Sequence, residues 1–75
     1  MTNGREFDKQ AVYEIRVLGK LDQTWSDWFF GFTITGHGEE TLLLGSVPDQ
    51  AALLGVLTKI NHLGLTLIRV ERKKS

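Results

Sequence analysis

Two indoles, a hydroxyl and a carboxylate stand side by side at Trp25-Ser26-Asp27-Trp28, with Phe29 directly after them. An indole offers a large apolar area and one N–H donor, so a turn displaying two of them is chemically suited to gripping a protein partner. Trp25, Asp27, Trp28 and Phe29 are therefore the candidate partner contacts. The competing expectation is that these rings plug the end of a small core, because a chain this short needs its largest side chains for burial. On that expectation Trp28→Ala mainly costs folding stability.

Other reactive types give weaker patterns. His37 lies near Glu39 and Glu40, and His62 comes much later. Their spacing matches no metal-ligand motif, so they read as solvated side chains and no metal is expected. Gly36-His37-Gly38 lacks the third glycine and the following helix of a phosphate loop; it reads as turn chemistry. Ser26 and Asp27 with either histidine do not form a nucleophile constellation, since no strained elbow or oxyanion donor set accompanies them. The expectation is a non-enzymatic protein with no catalytic residues and no cofactor.

The elements that must position the aromatic segment follow from periodicity. Tyr13, Ile15 and Val17 alternate with Glu14 and Arg16, which predicts a first strand from Val12 to near Gly19. The segment from Leu21 to Phe30 is too polar at its start for a strand and predicts a short helix or turn, with Thr24 available as an N-cap. Phe30, Phe32 and Ile34 fall on one face of a second strand over Phe29 to Thr35. Gly36 to Glu40 is the hairpin connection, and the apolar run Thr41 to Val47 predicts a central third strand. Gly45 within that run marks a bulge or a close approach by neighbouring backbone.

Pro48 and Asp49 stop the third strand, and Asp49 is a good N-cap. Leu53, Val56, Leu57, Ile60 and Leu63 recur at helical spacing, and Gly64 stands where a left-handed C-cap belongs. Leu65 to Glu71 is then a fourth strand, and Arg72-Lys73-Lys74-Ser75 reads as a solvated basic end. The fold class is α+β: a four-stranded antiparallel sheet with one long helix on one face. If Trp25 to Phe29 is a true helix, the order becomes the β-α-β-β-α-β of ferredoxin-like folds. If it is a turn, one sheet face stays poorly covered, and Leu18, Phe29 and Leu43 are expected to favour burial against a second copy.

Bulk properties bound the function. The 75 residues carry nine basic and nine acidic side chains, so no net charge draws the chain to nucleic acid or to an anionic membrane. The absence of cysteine excludes disulfides, thiolate metal sites and cysteine nucleophiles. One domain is expected over residues 11–72, with a flexible lead-in at 1–10 and a short tail at 73–75. A domain of this size without covalent staples gains burial by oligomerising, so a homodimer is expected. The polar start and the absence of a long apolar run lead to an expected cytoplasmic location.

From Tyr13 to Arg72 the pattern resembles a widespread group of short bacterial proteins. The resemblance is carried by Trp25-Ser26-Asp27-Trp28-Phe29, a Thr-Ile-Thr strand, Asp49-Gln50-Ala51-Ala52-Leu53-Leu54-Gly55-Val56-Leu57 and Leu63-Gly64-Leu65. It implies a bacterial cytoplasmic setting. The segment from Asp49 to Glu71 is also similar to ACT-type regulatory domains, in which an Asp begins a helix that a Leu-Gly turn joins to an apolar strand. That likeness implies, as an alternative, a small-molecule site around Asp49 and Gln50 at an interface between copies. Gln50-Ala51 stands where that family has Pro-Gly.

Overall fold

The computed structural model describes residues Gln10–Lys73. Residues 1–9 of the lead-in expected at 1–10, and the last two residues of the tail, lie outside the described residues. Four strands, β1 (Ala11–Leu18), β2 (Thr33–His37), β3 (Glu40–Val47) and β4 (Thr66–Lys73), form one sheet, and a single α-helix, α1 (Gln50–His62), connects β3 to β4. Two 3-10 turns, Gln23–Trp25 and Asp27–Phe29, occupy the connection between β1 and β2. The protein is α+β, and all its strand pairs are antiparallel in the order β2-β3-β1-β4. Because the first connection holds two single turns rather than a helix, the chain is not a regular ferredoxin-like fold but the one-helix alternative.

The alternation in β1 sets the two faces of the sheet. Tyr13, Ile15 and Val17 point under the helix and pack with Ile34, Leu43, Val47, Leu53, Val56 and Ile60. Leu18 is exposed on the opposite face, as its place in the alternation requires. Phe29 and Leu43, expected on that face with Leu18, are instead fully buried in the core. The reason is register: Leu43 lies opposite Ile15 and Ile34, both inward residues, and Phe29 ends a 3-10 turn that folds back over the sheet. The outer face is a field of charge, with Glu14 opposite Glu71 and Arg16 opposite Arg69 across β1 and β4, and with Leu42 and Leu44 on β3 beside them.

Gly45 marks a close approach, made by a side chain rather than by backbone or a bulge. The Phe32 ring lies where a Cβ at position 45 would go, within 2.6 Å of its Cε1. Pairing between β1 and β3 runs through Gly45 without a register shift. The irregularity in the sheet falls instead between β1 and β4, where Arg16 opposes Arg69 and Val17 opposes Leu67, so Ile68 is an extra residue on β4.

Both ends of α1 follow the signals in the sequence. The Asp49 carboxylate accepts the Ala52 N–H at 2.9 Å. At the other end Gly64, with φ 75°, lets its own N–H reach the Asn61 carbonyl at 3.0 Å and the Leu65 N–H reach the Ile60 carbonyl at 3.2 Å. That pair of bonds is a Schellman cap, and it turns the chain into β4. Near the far end of β1, Thr41 is buried; its hydroxyl donates to the Gly19 carbonyl at 2.6 Å and accepts the Leu21 N–H at 3.1 Å. Through those bonds β3 anchors the segment that carries the aromatic turns.

Candidate functional site

The aromatic turns are built by short-range polar contacts. Asp22 caps the first turn: its carboxylate accepts the Thr24 N–H at 3.0 Å and also the Thr24 hydroxyl, and these bonds hold the acid below its ordinary pKa. Gln23 reaches across to the outer side of β2, where its Oε1 accepts the Ile34 N–H at 3.0 Å and its Nε2 donates to the Phe32 carbonyl at 3.4 Å. The Ser26 hydroxyl donates to the same carbonyl at 2.8 Å. Side chains of the turns thus satisfy part of the β2 edge, a known means of blunting an edge strand. Ser26 is engaged in this structural bond, not directed toward a histidine.

The second turn ends at an unusual backbone. Phe30 has φ 59° and ψ 33°, the left-handed region, and Gly31 follows with φ 80°. For a bulky residue this conformation costs about 1–2 kcal/mol. Its consequence is geometric: Phe29 and Phe32 go into the core while Phe30 goes out to solvent. Phe30 was expected to share the buried face of β2 with Phe32 and Ile34. The strand begins only at Thr33, so the alternation does not extend back to it.

The four candidate partner contacts therefore separate. Trp25 and Trp28 are exposed, by 37% and 44%, and Asp27 is exposed with them, whereas Phe29 is wholly buried. Of the local aromatics, it is Phe29 and Phe32 that fill the core. Phe30, 59% exposed, joins the two indoles at the surface. Lys59 of α1 completes the patch, with its Nζ 4.0 Å from the centre of the Trp28 ring and 5.4 Å from that of Phe30. Sequence reading missed Phe30 and Lys59. The Phe30-Gly31 pair is the one local signal for an outward turn at that point.

A second exposed apolar surface lies on β4, an edge strand. Leu67, Ile68 and Val70 are 46%, 46% and 37% exposed. Val70 and Leu67 stand opposite Ile15 and Val17 on the helix side, yet both remain exposed. On the outer face of the same strand Arg69 pairs with Glu71 at 3.3 Å, and Lys73 pairs with Glu14 at 2.9 Å and Glu71 at 3.6 Å. The hydrogen bond from Lys73 holds the Glu14 carboxyl below its usual range, and the same contact raises the Lys73 ammonium. Lys73, expected in a solvated tail, is thus the last residue of β4 and an ion-pair partner.

The remaining candidates are dispersed. His37 ends β2 opposite Glu40, and His62 ends α1; among the described residues no group of three or more His, Asp or Glu side chains gathers as a metal site would. Asp49 is committed to its helix cap, and Gln50 beside it is exposed. No helix among the described residues is long and apolar enough to cross a membrane.

No curated protein and no solved structure matches the chain. One family model does, over residues 12–71, which span β1 through most of β4 and include both exposed apolar surfaces. The chain belongs to the family described as Domain of unknown function (DUF8691).

Proposed function

We propose that this protein is a non-enzymatic interaction module that self-associates as a homodimer and offers Trp25, Trp28 and Phe30 to a protein partner. The observation that carries the reading is the exposure of Leu67, Ile68 and Val70 on the terminal edge strand, because long apolar edges invite pairing unless something covers them. The aromatic patch supports the second half of the reading. Two indoles and a phenyl ring held at the surface beside a lysine have the composition of an interface hot spot. The left-handed backbone at Phe30 supports it further, since strain at an exposed ring is retained more readily where the ring has a use.

Nothing in this reading needs a cofactor, a nucleic acid or a membrane. A bacterial cytoplasmic setting belongs to the same proposal and rests on the resemblance of the Trp25 to Leu65 pattern. The test has two arms. Light scattering on the whole chain across a concentration series is expected to give a dimer. A pull-down comparing wild type with Trp28→Ala is expected to lose its partner while the far-ultraviolet spectrum is unchanged. A saturable thermal stabilisation by an amino acid or other metabolite, lost in Asp49→Ala, would instead favour a ligand-binding regulatory domain.

A further inference from the structure

We infer that two copies of the chain join β4 to β4 about a two-fold axis through Val70, making one continuous eight-stranded antiparallel sheet. The inference rests on the self-association proposed above and specifies its surface and register.

Of the two edges of the sheet, β2 is the less available. Gln23 and Ser26 already bond to its outer side at Phe32 and Ile34. β4 pairs with β1 on one side, and no described strand lies on the other. Leu67, Ile68 and Val70, three exposed aliphatic residues close together, are on β4 as well.

Charge selects the register. Antiparallel partners must present facing residues on the same side of the sheet, so a two-fold axis has to pass through a residue rather than between residues. An axis at Arg69 sets Arg69 against its own copy, and an axis at Glu71 sets Glu71 against its own copy and Arg69 against Lys73. Like charges directly opposite are unfavourable. An axis at Val70 sets Arg69 of each copy opposite Glu71 of the other, with Val70 against Val70 on the helix side and Ile68 beside the Arg72 stem. The extra residue at Ile68 bends the strand there and ends the pairing, so it spans Ile68 to Arg72.

Across the β1–β4 ladder the same charges face their own sign, although Arg69 and Glu71 also pair with each other along β4. β1 puts Arg16 opposite Arg69 and Glu14 opposite Glu71. A second β4 supplies the opposite sign to both, on the other side of the strand.

Charge swaps test the register: Arg69→Glu removes the opposition with Arg16 but also the pair with Glu71, and Glu71→Arg removes that with Glu14 but also the pairs with Arg69 and Lys73, so the melting temperature of each variant is read beside its dimerisation. Each single variant of the whole chain is expected to dimerise about tenfold or more weakly than wild type. An equimolar mixture of the two, and the Arg69→Glu/Glu71→Arg double variant, are expected to recover wild-type dimerisation. The chain has no cysteine, so Val70→Cys provides an independent readout: facing Cα atoms about 5 Å apart allow a disulfide across the axis. Val70→Cys is expected to cross-link under mild oxidation and Leu67→Cys to remain single. If wild type dimerises but both single swaps dimerise equally well, or Leu67→Cys links and Val70→Cys does not, this register is overturned while self-association stands. A wild type that is monomeric throughout overturns both.

Discussion

The ammonium of Lys59 stands 4.0 Å from the centre of the Trp28 ring, joining the only helix of the described residues to a turn that is otherwise exposed. An exposed cation–π contact of this kind contributes about 0.5–1 kcal/mol. Lys59→Ala should lower stability by that amount in urea titrations, and Lys59→Arg should retain most of it. The same Lys59→Ala change should alter Trp28 fluorescence. A variant as stable as wild type, with an unaltered emission spectrum, would mean that the contact is not formed in solution.

The contact between Phe32 and Gly45 makes a stronger demand. Any side chain at position 45 collides with a ring that is itself fully buried, so the ring or the strand must move. Gly45→Ala should cost about 1–3 kcal/mol, the range for overpacking a core. Pairing it with Phe32→Leu should recover part of the loss, and thermal melts of the three variants would measure that coupling.

Phe30 sets local stability against use. Phe30→Asn places a residue tolerant of the left-handed region where a bulky ring now sits. Relief of strain exceeds the loss of a ring 5.4 Å from Lys59, so the variant should be more stable by about 0.5–1 kcal/mol. It should also bind the aromatic-patch partner more weakly. Lower stability in the variant would show that Phe30 is held by packing rather than retained for contact.

The Lys73–Glu14 pair gives stability a defined pH dependence. Glu14 is held below its ordinary value of 4.5 by the hydrogen bond from Lys73, so its contribution is present above that value and fades as pH falls through the lowered one. Lys73 is raised above 10.5 by Glu14, so its contribution is complete below that value and fades as pH rises through the raised one. Glu14→Gln and Lys73→Gln should therefore each flatten both limbs of a plot of melting temperature against pH, the alkaline limb only in part for Glu14→Gln because Glu71 still faces Lys73. Both side chains are partly exposed, so added salt should shrink the difference from wild type.

How much of this was legible in the sequence depends on where each residue's constraint comes from. Asp49, Gly64 and the stripe Leu53-Val56-Ile60 announce α1 because capping and periodicity are local, and the helix runs between those signals. The alternation in β1 was equally plain. Phe29 and Phe30 were not, because their directions depend on one left-handed residue that ends the second turn before the strand pattern starts. Leu43 was assigned to the wrong face because an apolar run has no alternation to read, and only its pairing with Ile15 and Ile34 decides its side. The importance of Gln23 depends on β2 being an edge strand, a property of sheet order that no local pattern carries. For the candidate surfaces, Trp25 and Trp28 were singled out by composition, while β4 was read only as a fourth strand, since its edge position is not written in its own residues.

The central claim is that β4 is the self-contact of this protein, and sedimentation equilibrium of the whole chain beside Arg69→Glu and Glu71→Arg tests it most directly. Wild type should approach twice its 8.5 kDa mass as concentration rises, each variant alone should remain near the single-chain mass, and their equimolar mixture should return to the dimer. A wild type that keeps the single-chain mass at every concentration, or variants that associate as wild type does, would contradict it.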